Sequence, residues 1–64
     1  MKDRYWAIYC RDKIYTDSDG NFIIFKSLTS ALLFYSYEIP TSEKMLWEYG
    51  EIVIDPKESG IKLI

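Results

Sequence analysis

Histidine is missing from this 64-residue chain, and cysteine occurs once, as Cys10. The first absence removes the side chain most used for general acid–base catalysis. Together the two exclude Cys/His zinc sites and any internal disulfide. Cys10 sits mid-strand between Tyr9 and Arg11 with no neighbouring base to generate a thiolate, so it reads as a buried apolar residue. Carboxylate pairs at Glu48 and Glu51, or at Asp17 and Asp19, lie beside turn signals and read as solvated charges. Glycine is sparse, and Gly20, Gly50 and Gly60 are too isolated to form a phosphate-binding loop. No catalytic residue, metal site or cofactor is assigned, and the chain is expected not to be an enzyme.

Long apolar runs are absent as well. Nothing approaches the roughly 20 residues of a membrane-spanning helix, and "MKDRYWAIYC" lacks the continuous apolar core of a signal peptide. The expectation is a cytoplasmic protein with no membrane association, the lone thiol suiting a reducing interior. Basic charge is not concentrated either: eight Lys and Arg stand among ten Asp and Glu, for a net charge of −2. A protein that grips phosphates normally presents a basic face, so nucleic acid is disfavoured as a partner.

What the chain has is aromatic and β-branched residues, with 17% Phe, Trp and Tyr. Residues 1–64 make one domain, short enough to bury only about 60% of its unfolded surface. A dense core or self-association has to supplement that. "RYWAIYCR" reads as a strand apolar on both faces, Tyr5, Ala7 and Tyr9 on one and Trp6, Ile8 and Cys10 on the other. That pattern predicts a central strand, or one whose second face is covered. "DKIYT" and "NFIIF" follow as extended pieces; whether residues 4–16 form one strand or break near Arg11-Asp12 stays open.

Between them "DSDGN" has the look of a calcium loop, with Asp17, Asp19 and Asn21 at positions 1, 3 and 5. The glycine due at position 6 is Phe22 and the glutamate due at position 12 is Leu28, so the motif fails. Gly20 and Asn21, which tolerate positive φ, make the stretch a hairpin turn instead.

"SLTSALLFYSYEIP" is the helix, with Ser27 as N-cap and Pro40 preventing continuation. Leu28, Ala31, Leu32 and Tyr35 share one face; Leu33, Phe34 and Tyr37 lie opposite. For residues 42–49 two readings stand, a short helix before Gly50 or a strand from about Leu46 to Asp55. The strand is preferred, with a bulge at Gly50 that brings Trp47, Tyr49, Ile52 and Ile54 onto one face. "IKLI" is a last short strand. The order β-β-α-β-β predicts an α+β fold: an antiparallel sheet of about four strands with one helix packed on a face.

Function follows from the surplus of apolar surface. A 64-residue chain can hardly surround a helix apolar on both sides. Leu33, Phe34 and Tyr37, with Glu38 following, are therefore the expected partner-binding residues, for a protein partner or for a second copy in a homodimer. The expected role is that of a small inhibitor that binds and occludes a protein. A compact acidic chain that begins at a methionine and has no tails suggests a viral or mobile-element protein acting on a host or defence factor. The alternative is a small-ligand or nucleotide binder that stacks its ligand on Arg4, Tyr5, Tyr9, Arg11 and Tyr15.

Overall fold

The computed structural model describes residues 3–64. The protein has an α+β fold, with one helix on a mixed five-stranded sheet. Strand β1 (Asp3–Cys10) is central, as its two apolar faces predicted. Along one edge it pairs with β4 (Glu48–Ile54) in an unbroken antiparallel register from Asp3 opposite Ile54 to Tyr9 opposite Glu48. The other edge is shared. Strand β2 (Lys13–Ile14) takes the end at Cys10, and β3 (Phe22–Phe25) takes over at Ala7 and Trp6. Residues 16–23 are looped out of this interrupted partner strand, with the Tyr15 N–H donating to the Ile8 carbonyl (2.8 Å) and the Ile23 N–H to the Tyr15 carbonyl (3.1 Å).

The break between β1 and β2 falls at Arg11-Asp12, where Arg11 has φ 59° and closes a two-residue hairpin between Cys10 and Lys13. The loop at Asp17 is the turn read from the sequence. Only Gly20 takes positive φ there (84°), while the Asp17 Oδ1 accepts hydrogen bonds from the backbone N–H groups of Asp19 and Asn21, each at 2.9 Å.

Helix α1 (Leu28–Tyr37) starts where expected, with the Ser27 Oγ accepting from the Ser30 N–H (3.2 Å). It packs on the sheet face that carries Trp6, Ile8, Tyr15, Ile23 and Phe25. Its inward residues correct the sequence reading. Ala31, Phe34 and Tyr35 meet the core, while Leu28 and Leu32 are exposed along one flank and Leu33 and Tyr37 along the other. The Phe34 ring lies 5.3 Å from Phe25 and 5.6 Å from Tyr15, whose ring in turn meets Trp47 at 5.0 Å. A helix with apolar residues all round leaves its phase to tertiary packing, and the larger ring won over two leucines. Beyond α1, Ile39 is buried in the core. A turn of 3-10 helix (Thr41–Glu43) follows, tied back by the Tyr35 hydroxyl donating to the Lys44 carbonyl (2.6 Å).

Strand β5 (Ile61–Leu63) corrects the expected all-antiparallel sheet, for it runs parallel to β3 on the edge farthest from β4. Residues 55–60 must therefore cross back over β1 and β3. With α1 on one face, the complete burial of Ala7 and Ile24 (0% and 1% exposed) on the other places the return segment there. Two thin apolar layers thus share one sheet.

Gly50 is the remaining correction. It pairs in register with Ala7 without a bulge and without positive φ. Tyr49 accordingly faces the helix, its ring 5.5 Å from that of Tyr35, while Ile52 and Ile54 face the other way. Glycine is needed there for space: an added Cβ would stand 3.1 Å from Tyr9 Cε1 and 3.2 Å from its Oη. Gly50→Val should cost about 1 kcal/mol by displacing that ring. In a Tyr9→Ala background the cost should disappear, because valine favours strands. A double-mutant cycle by urea unfolding reads the coupling, and strict additivity would show that the ring does not set the choice of glycine.

Candidate functional site

The four residues nominated for partner binding converge on one groove. Leu33, Phe34, Tyr37 and Glu38 line a cleft of about 320 Å³ between α1 and the β5 edge, closed by Phe25 beneath, Ser30 at one end and Ile64 opposite. Their roles differ with burial. Leu33 (53% exposed) and Tyr37 (81% exposed) project from the rim. Phe34 forms the floor and belongs to the aromatic core, so it is a structural residue that also presents a ring edge to the groove. Glu38 caps the helix, its N–H donating to the Phe34 carbonyl (2.8 Å), and it is the one charged side chain of the lining. The contribution of Phe25, Ser30 and Ile64 was not legible as a set: they come from three segments that only the fold brings together.

The residues nominated for a stacking face do not converge. Tyr5 and Tyr9 point to the sheet face opposite α1, whereas Tyr15 sits on the helix side, packed among Phe34 and Trp47. Arg4 also lies on the helix side, 3.7 Å from Glu51. Arg11 occupies the hairpin turn. The break at Arg11-Asp12 takes Tyr15 off the Tyr5 and Tyr9 face by putting Ile8, not Tyr9, opposite it, while Arg4 alternates away from Tyr5 within β1.

A second, wider and more polar groove of about 640 Å³ gathers Cys10, Arg11, Asp12 and Lys13 of the hairpin with Met45, Leu46 and Glu48. Met45 and Leu46 are exposed there on the loop after the 3-10 turn. Cys10 is half-buried, at the end of its strand. Among the described residues no three metal-ligating side chains come together, and no helix is long and apolar enough to cross a membrane. Compared with known proteins, the chain matches no family model, no curated protein and no solved structure.

The carboxylate that suggested calcium is turned onto its own loop. Hydrogen bonds from the Asn21 N–H, then from the Asp19 N–H, hold the Asp17 carboxyl below its ordinary value of 3.8, outweighing the opposing effect of burial. A depressed carboxyl stabilises the fold above its unfolded pKa, and that contribution is lost as pH falls through the folded value. The melting temperature should therefore drop on acidification below pH 3.8, and Asp17→Asn should flatten that drop. Adding or chelating calcium at neutral pH should leave the melting curve in place; a shift of several degrees would mean that the loop does bind the ion.

Proposed function

We propose that this protein is a non-enzymatic interaction module whose partner, a protein, docks in the groove between α1 and the β5 edge. The observation that carries the reading is the geometry of that groove: large apolar side chains, two of them projecting into solvent, around a floor of fixed aromatic rings. Tyrosine and leucine on a rigid helix supply contact area at low entropic cost, which is what a docking site needs. Glu38 at the rim favours a partner with a basic group beside its apolar anchor. In this reading the protein works by covering a surface, in the cytoplasm, as an inhibitor of a host or defence factor encoded by a phage or mobile element. The dispersal of Arg4, Tyr5, Tyr9, Arg11 and Tyr15 gives the small-ligand alternative no common face.

Two variants separate docking from folding. Leu33→Ser with Tyr37→Ser removes only projecting side chains, so it should keep the parent's circular dichroism and melting temperature within a few degrees. Phe34→Ser removes a floor ring and should cost about 3 kcal/mol or more, enough to unfold a domain this small. Lysate proteins retained by the immobilised parent should be lost with the double Ser variant and kept by Leu46→Ser, which alters the other groove. Identical retention by all folded variants would remove the groove from the function. Saturable binding of a nucleotide by equilibrium dialysis would replace the reading with the ligand alternative.

A further inference from the structure

We infer that the outer edge of β4 is a homodimer interface, across which two copies join their sheets antiparallel in a register centred on Glu51. This inference does not rest on the groove, which lies at the opposite edge of the sheet.

The argument starts from the direction of the backbone groups. The Ile8 carbonyl accepts from the Tyr15 N–H, so Ile8 turns its N–H and C=O toward β2. Alternation then turns those of Asp3, Tyr5, Ala7 and Tyr9 toward β4, where they meet Ile54, Ile52, Gly50 and Glu48. The intervening residues Tyr49, Glu51 and Val53 point their N–H and C=O groups outward. No described strand lies beyond them.

Natural edge strands are blunted by shortness, charged side chains, proline or a bulge. This one is seven residues long, pairs without a bulge and contains no proline, so Glu51 is the one such device among its outward residues. On the helix side its outward flank carries Tyr49 and Val53, 43% and 58% exposed, on either side of Glu51. Leu28 and Leu32 are exposed on the same helix stripe as Tyr35, whose ring meets Tyr49.

A second copy supplies the complement. With Glu51 opposite Glu51, all three outward residues form hydrogen-bonded pairs, and each Tyr49 lies opposite Val53 of the other copy. Aromatic–β-branched pairs of that kind stabilise sheets. The other two-fold registers that preserve the faces leave at least one outward residue without a partner within the strand. Size sets the strength. Seven residues span about 23 Å, and the molecule is 20 Å through its shortest dimension. The two buried surfaces together come to roughly 1,000 Å², the lower bound of specific interfaces. The dimer is therefore weak and concentration-dependent.

The cost in this register is the Glu51 pair, each carboxylate held near Arg4 of its own chain, and that pair makes the register testable. Sedimentation equilibrium from about 10 to about 500 µM, the range a weak interface calls for, should show the mass rising from 7.6 kDa toward twice that value. A constant 7.6 kDa overturns the inference. Val53→Pro removes an N–H that the monomer does not use, on an edge where proline is tolerated. It should stay folded and monomeric, and a folded Val53→Pro dimer rules out this edge. Should the proline variant unfold, the charge test decides. Glu51→Lys alone should associate at least tenfold more weakly than the parent, and an equimolar mixture of the two should form mainly the mixed dimer. A mixture with no such preference overturns the register. Leu33→Ser with Tyr37→Ser should dimerise like the parent, which keeps this result separate from that of the groove.

Discussion

Ala7 and Ile8 are neighbours in one strand, point to opposite faces of the sheet, and are both completely buried. That double burial is the constraint from which the rest of the architecture follows. A strand apolar on both sides has to be paired along both edges and covered on both faces, and 64 residues must supply all four. Pairing comes from β4 on one side and from the interrupted β2–β3 arm on the other. One face receives α1. The other receives only the return of residues 55–60, six residues with no regular structure, and the rings of Tyr5 and Tyr9. Parallel pairing of β5 with β3 is a consequence, since a chain leaving β4 and crossing the sheet arrives at the far edge running in the same direction.

So thin a body cannot bury everything it needs to. The side chains that fix the fold are few: Phe25 and Phe34 in contact, Tyr15 wedged between Phe34 and Trp47, and Ile39 folded under the helix end. The Tyr35 hydroxyl adds specificity by holding the loop after the 3-10 turn at a fixed place. Accessible surface reports the shortfall. A compact monomer of this mass exposes about 4,300 Å², and this chain exposes 4748 Å². Large apolar side chains are exposed along the two flanks of α1 and at the loop of Met45 and Leu46. Apolar residues left at a rim are there because the chain is too short to cover them or because something else does, and only the second adds stability.

What the sequence made legible follows the local rules. The strand at 4–11, the Ser27 cap, the stop before Pro40 and the turn at Asp17 each rest on residues within a few positions of one another. What it hid depends on distant partners. The phase of α1 was ambiguous because Leu28 and Leu32 offer as much apolar surface as Phe34, and only the position of Tyr15 and Phe25 decides between them. Gly50 invited a bulge because glycine in a strand has two explanations, backbone freedom and room for a neighbour, and the neighbour Tyr9 is forty-one positions away in the chain. The groove shows the same division. Its helical residues were legible as one stripe, while the fact that Phe34 is its floor and Leu33 its rim is a property of the packing.

The two uncovered edges differ in the chemistry they offer, and so in their fitting partners. At the β5 side the backbone edge is three residues long and the interest lies in side chains around a cleft, which suits a partner that inserts an anchor. At the β4 side the side chains form a shallow strip and the interest lies in a row of backbone groups, which suits another strand. Net charge does not oppose self-pairing at this edge. Two bodies of charge −2 held about 25 Å apart repel by about 0.7 kcal/mol in water without salt. A Debye length of about 8 Å reduces that to under about 0.1 kcal/mol. Glu51 is different, because in the centred register it faces its own copy across about 5 Å, inside the screening length. The local pair therefore governs whether the strands meet in register, and Arg4, placed by β1 alongside each carboxylate, is the group positioned to offset it. Both edges can be occupied at once, since nothing in the strip at β4 is shared with the groove at β5.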